Sequence, residues 1–256
     1  MRFSFIAGKR DAGRCGYSRQ TFASMRLARP RTTRRLLSQL PAPWEATYAA
    51  STRAELLAAY EAWAPTYDAD SVGSFGYAAP GAAALALERH VADASAAVVL
   101  DAGAGTGQVG EHLSRLGFSH VLGVDLSAPM LRIAATKGCY RELLRGDLTD
   151  RTLLPPGSLD AVVCVGTLTP NHVEDGATLH TWLEWLRPGG VICASIRDDF
   201  WEGSPLPNAC QRLQEEGLWT LVEETESARY TPLVNDVAFR VRTWRKAVDC
   251  LASGST

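Results

Sequence analysis

Residues able to do chemistry gather where an apolar run gives way to glycines, in Val98-Val99-Leu100-Asp101-Ala102-Gly103-Ala104-Gly105-Thr106-Gly107. Glycines let a backbone approach a ligand closely and admit dihedral angles that other residues avoid. A plain tight turn needs one glycine rather than three. In open α/β sheets, ligands bind just outside the carboxyl ends of the strands. Gly105-Thr106-Gly107-Gln108-Val109-Gly110 also satisfies the dinucleotide pattern G-x-G-x-x-G, and Asp125 stands where a ribose-binding acid would follow. Three features weigh against a dinucleotide. Asp101 directly precedes the glycines, where a carboxylate would repel a pyrophosphate but could accept a hydrogen bond from an ammonium group. A second acid, Asp147 in Arg145-Gly146-Asp147-Leu148, is placed to meet an adenine amino group. No Tyr-x-x-x-Lys pair for hydride chemistry occurs.

Further candidates follow the later apolar runs. Asn171-His172-Val173-Glu174 contains the best available general base, because the unperturbed pKa of a histidine lies near neutrality. In Arg197-Asp198-Asp199-Phe200-Trp201, Arg197 could hold an acceptor carboxylate and Trp201 could wall a pocket; the plainer reading of Arg197 is an ion pair with Asp198 or Asp199. The six cysteines are scattered without C-x-x-C, and the five histidines show no metal-ligand spacing. Reduced thiols and no structural metal are expected.

An α/β alternation must position these residues. Strands are expected at Ala97–Leu100, Val121–Val124, Arg141–Leu144, Ala161–Val165 and Val191–Ser195, the first a short continuous apolar run suited to burial on both faces. Helices are expected between them at Thr106–Leu116, Ala128–Lys137 and Ala177–Leu186, with Gly117 and Gly138 closing the first two. Strand–helix–strand repetition implies right-handed crossovers and a parallel sheet. Beyond it, Asn208–Glu216 reads as a helix, and Trp219–Tyr230 and Val237–Val248 as two strands, an antiparallel pair at the sheet edge. Before it come two helices, Ser51–Trp63 with Ser51 as cap, and Pro80–Val91.

The division expected is a basic arm at 1–40, a helical lid or cap at 41–95 and a ligand-binding core at 96–256. The net charge of −2 hides an asymmetry: residues 1–40 hold ten Lys or Arg and one acid, leaving 16 basic and 27 acidic residues in the rest. An Arg-rich, Ser/Thr-bearing, nearly acid-free N-terminus has the composition of a transit peptide, with a mitochondrial matrix favoured over a plastid and the cytoplasm left if the arm is not one. The acidic remainder argues against a nucleic-acid partner, since phosphate binding needs a positive face. No apolar stretch approaches the ~20 residues of a membrane span.

Five ordered motifs carry a resemblance: Asp101-x-Gly103-x-Gly105-x-Gly107, Gly123-Val-Asp125-Leu-Ser127-x-x-Met130-Leu131, Gly146-Asp147-Leu148, Leu159-Asp160-Ala161-Val162 and Leu186-Arg187-Pro188-Gly189-Gly190. Over about residues 55–200 the chain resembles class I methyltransferases that use S-adenosylmethionine. The resemblance implies a Rossmann-like α/β fold: a mostly parallel seven-stranded sheet, helices on both faces and an antiparallel last strand. It implies a cofactor site of Asp101, Ala102, Gly103, Gly105, Gly107, Asp125, Leu126, Met130, Gly146, Asp147, Leu148 and Val165. Backbone near Gly103 and Gly105 would hold the methionine part, with Asp101 assisting its amino group. Asp125 would accept the ribose hydroxyls, Leu126 and Met130 would flank the adenine, and Asp147 with Leu148 would meet its edge. Tyr60-Glu-Ala-Trp63-Ala-Pro-Thr-Tyr67-Asp68 and Val165-Gly166-Thr167-Leu168 more narrowly resemble methyltransferase-like proteins of the Williams–Beuren region type. There the aromatic segment implies a lid; the alternative is that Tyr60, Trp63 and Tyr67 pack one helix face against the core. The expected activity is methylation of a small molecule at O, N or S, a carboxylate- or sulfur-bearing metabolite being compatible with Arg197 and Trp201. A catalytically silent cofactor-binding subunit and an NAD-dependent oxidoreductase remain as alternatives.

Overall fold

The computed structural model describes residues 42–169, 176–233 and 237–248. Two helices, α1 (Ala42–Ala49) and α2 (Arg53–Trp63), lead through a π-helical turn at Ala69–Ser74 to α3 (Ala79–Glu88). The alternation then runs β1 (Val98–Ala102), α4 (Gln108–Arg115), β2 (His120–Asp125), α5 (Ala128–Thr136), β3 (Glu142–Arg145), β4 (Leu159–Val165), α6 (Gly176–Trp185) and β5 (Leu186–Arg197). It ends with α7 (Asp198–Gly203), α8 (Leu206–Glu215), β6 (Trp219–Glu224), the two-residue β7 (Ala228–Arg229) and β8 (Ala238–Lys246).

The sheet order is β3-β2-β1-β4-β5-β8-β6, with β7 pairing on β8. Strands β1 to β5 are mutually parallel, and β8 runs antiparallel to both β5 and β6. The expected antiparallel pair thus stands at the sheet edge, with β6 outermost and β8 between it and β5. Trp219–Tyr230 is also two strands rather than one.

Period-two alternation sorts each central strand onto two apolar layers. Leu100, Val162, Cys164, Ile192 and Ala194 pack with Trp182, Trp185 and Leu213 on one face. Val99, Ala161, Val163, Val191 and Cys193 pack with Ala83, Leu87 and Leu113 on the other. Burial on both faces explains why these runs read as continuous rather than alternating hydrophobics.

The N-terminal helices are set by local chemistry. Thr52, not Ser51, caps α2: its side chain accepts from the Glu55 backbone N–H while Glu55 reaches back to Thr52, a capping box. Ser51 adds its own N–H and hydroxyl to the same carboxylate. Pro80 sits in the first turn of α3, where its missing N–H costs nothing.

Candidate functional site

The parallel register brings the carboxyl ends of β1, β2 and β3 to one edge, Asp101 beside Gly123 and Asp125 beside Arg145. The backbone after β1 folds across β2, with the N–H groups of Gly103 and Ala104 both donating to the Val124 carbonyl at 2.9 and 3.0 Å. All three glycines are left-handed: φ is +85° at Gly103, +53° at Gly105 and +92° at Gly107. Their surroundings differ. A Cβ on Gly103 would lie 2.0 Å from the Thr167 hydroxyl, and one on Gly107 would meet Tyr140 and Ala134. A Cβ on Gly105 would meet nothing within 4 Å and would stand on the wall of a cavity.

That cavity holds about 570 Å3, within the ~300–1,000 Å3 typical of small-molecule sites. Of the expected residues, Gly103, Gly105, Asp125, Leu126, Met130, Gly146, Asp147, Leu148 and Val165 line it, as do Tyr60, Trp63, Tyr67 and Arg197. Asp101, Ala102 and Gly107 do not. Ala102 is buried in the core and its carbonyl accepts from Thr167 at 3.3 Å; Gly107 caps α4. Trp201 is also misplaced by the sequence reading. It packs 6.4 Å from Trp244, with the Arg242 guanidinium 3.9 Å from its ring, and is not among the residues lining the cavity. The neighbouring Phe200 faces the cavity instead. His172 lies outside the described residues.

Asp125 is the best-fixed acid. Its two carboxylate oxygens accept from the Gly105 and Ser127 backbone N–H groups, each at 2.8 Å, which sets the plane of the group. Burial raises its pKa, opposed by those backbone hydrogen bonds. Ser127 in turn caps α5 through its hydroxyl on the Met130 N–H. Asp147 is held by Thr149 and by an ion pair with Arg53 of α2 at 2.7 Å; its pKa is lowered, these bonds outweighing desolvation.

The residues before the core form the opposite wall. Trp44, Tyr48, Tyr60, Trp63, Tyr67, Phe75 and Tyr77, joined by Tyr230 from beyond β7, line the same cavity. Trp63 and Tyr67 meet edge-on at 4.7 Å and Tyr77 and Tyr230 at 4.9 Å, with 2.9 Å between the latter hydroxyls. Tyr60, Trp63 and Tyr67 pack on one another and all three line the cavity, with Trp63 buried. Desolvation raises the pKa of Tyr60, Tyr67, Tyr77 and Tyr230, so these phenols are neutral. Arg197 is bound by both Asp199 oxygens and by the Tyr48 hydroxyl, as in the plainer reading, and the arginine is the buried partner.

Sequence reasoning missed the residues that fasten cap to core. Asp68 accepts from Thr106 at 2.6 Å and Gln108 at 2.8 Å, and pairs with Lys137 at 2.8 Å. Within the segment before the core, Trp63 donates to Asp70 at 2.8 Å. Tyr140 was missed too. Its ring fills the space that Cβ atoms on Gly110 and Gly123 would occupy, at 2.4 and 3.0 Å. The last glycine of the dinucleotide-like pattern is therefore a packing glycine. Among the described residues no group of three metal-ligating side chains occurs, and no helix is long and apolar enough to cross a membrane.

A parallel sheet with its last strand reversed and inserted before the edge, a glycine loop after β1 and acids after β1, β2 and β3, is the architecture of class I methyltransferases. Residues 99–190 match the family model described as a methyltransferase domain. The chain is 34% identical over 171 residues to human Methyltransferase-like protein 27, covering 65% of this chain and 69% of that one. It is 38% identical over 99 residues to the malonyl-[acyl-carrier protein] O-methyltransferase of Yersinia pestis, 38% of this chain and 36% of that one. Its fold aligns with the 1,6-didemethyltoxoflavin-N1-methyltransferase of Burkholderia thailandensis, solved with S-adenosylhomocysteine, at TM-score 0.57 and 25% identity over 81% of this chain and 92% of that one. The chain belongs to the class I S-adenosylmethionine-dependent methyltransferases, and S-adenosylmethionine is its cofactor.

Proposed function

We propose that this enzyme methylates a small molecule held at the aromatic end of the cavity. The observation that carries this reading is that one enclosure is lined both by Gly105, Asp125 and Asp147 and by Tyr60, Tyr67, Tyr77 and Tyr230. Bound at the first end, S-adenosylmethionine supplies an activated methyl group on a sulfonium centre. The chain's own residues do the rest. Asp125, oriented by two backbone N–H groups, accepts the ribose hydroxyls; Leu126 and Met130 flank the adenine, with Asp147 and Leu148 at its edge. Gly105, without a side chain, leaves room for the methionine portion. The cap excludes water and fixes the acceptor in line with the methyl group, which is much of what such a transfer requires.

Both arginines on the cavity wall, Arg53 and Arg197, are engaged by carboxylates, and the four phenols are neutral. This favours a compact, largely apolar acceptor with hydroxyl or amine groups over the carboxylate-bearing metabolite that Arg197 suggested. The structural neighbour solved with 1,6-didemethyltoxoflavin, whose name states methylation at N1, supports a small acceptor. The acidic core disfavours nucleic acid as partner. We also keep residues 1–40 as a mitochondrial targeting arm, 41–95 as the cap and 96–256 as the core; a fluorescent fusion of residues 1–40 that stays in the cytoplasm would refute the targeting role.

The test is incubation of the full chain with methyl-labelled S-adenosylmethionine and a deproteinised metabolite extract, beside protein and RNA pools. Label in the low-molecular-mass fraction is expected. Label confined to protein or RNA overturns the reading, and no transfer despite cofactor binding supports a silent subunit instead.

A further inference from the structure

Asp101 is wholly buried at the end of β1, off the cavity wall, and its two oxygens are treated differently. Oδ2 accepts from the Tyr140 hydroxyl at 2.6 Å, whereas Oδ1 finds no partner among the described residues. The Tyr140 oxygen is itself an acceptor for the Gly110 N–H at 3.2 Å, so its proton is committed to Asp101. A buried acceptor left unpaired is costly and marks a group awaiting a partner. The space for the ring is built in by the absence of side chains. A Cβ on Gly110 would lie 2.4 Å from the ring and 2.6 Å from its oxygen, and those on Gly107 and Gly123 would each lie 3.0 Å from it.

We propose that Tyr140 is a positioning residue for the cofactor: it pins Asp101 by one oxygen and leaves the other, two residues before the cavity-lining Gly103, to balance by its charge the ammonium group of S-adenosylmethionine on the far side of that wall. This rests on the cofactor placement proposed above. The phenol also bears on charge. Burial pushes Asp101 up to about 7, opposed by the Tyr140 hydrogen bond and reinforced by the Asp125 carboxylate. The other titratable groups coupled to Asp101 are the thiols of Cys164 on β4, raised to about 12, and Cys139 beside Tyr140, also raised; both are uncharged. A protonated Asp101 must lose its proton when an ammonium group binds, so affinity falls as pH drops through about 7. Removing the phenol removes what lowers that pKa, so the fall begins at higher pH.

Tyr140→Phe keeps the ring in its glycine-lined hollow and deletes only the hydroxyl. Binding of S-adenosylhomocysteine to full-length protein, measured calorimetrically from pH 6 to 8.5, should weaken roughly tenfold near neutrality, with the low-pH decline displaced upward by about one pH unit. Asp125 titrates in both proteins, so the displacement belongs to Asp101. Asp101→Asn should flatten this part of the profile. An unchanged affinity and profile, or a uniform loss at every pH with no displacement, overturns the proposal. Silence of the wild type at every pH would instead remove the cofactor placement, and the inference with it.

Discussion

The two ends of the cavity are built from different materials. The end proposed for the cofactor is backbone and short acids: left-handed glycines, N–H groups on Asp125, and strand termini set by parallel register. The other end is aromatic surface brought together from residues 44 to 77 and from Tyr230, and fastened to the core by Asp68 and Arg53. On the proposed reading, backbone geometry at strand ends serves a constant ligand, and side chains before the core are free to suit one acceptor.

Substitutions can break this contrast. The largest effect is expected from Asp125→Ala, which should cost about 2–4 kcal/mol of S-adenosylhomocysteine affinity by calorimetry with folding retained. Next, Gly110→Ala should lower thermal stability by about 1–3 kcal/mol, because the methyl group would meet the Tyr140 ring at 2.4 Å. Asp68→Ala should act on the cap: it removes bonds to Thr106, Gln108 and Lys137, and an order of about 1–2 kcal/mol is expected as faster proteolysis near residue 68 and lower kcat/KM for the acceptor. Affinity for the cofactor product should change far less. The smallest effect belongs to Arg53→Ala, whose ion pair with Asp147 is about half exposed on the arginine side and is worth ~0–1 kcal/mol. A loss of cofactor binding there as large as for Asp125→Ala would erase the distinction between the two ends.

The same contrast explains what could be read from sequence. Gly105, Asp125 and Asp147 were legible as cavity residues because Asp125 ends β2 while Gly105 and Asp147 follow β1 and β3, and strand ends are marked by local pattern. The parallel sheet was legible for the same reason. The position of β8 between β5 and β6 was not, since strand order is decided by tertiary packing that alternation along one strand does not encode. Trp201 was placed in the cavity by proximity to Arg197, yet α7 turns its Phe200 inward and Trp201 onto Trp244. Asp68 and Tyr140 act through partners about 40 residues away, at Thr106 and Asp101 respectively, and no local spacing announces such pairs.

The most direct test of the two-ended cavity is a crystal structure of the full chain with S-adenosylhomocysteine. The account predicts ribose hydroxyls on Asp125, adenine between Leu126 and Met130, and the sulfur facing the space bounded by Tyr60, Tyr67 and Tyr230. Adenine lying among those tyrosines, with Asp125 left without a ligand contact, would contradict it.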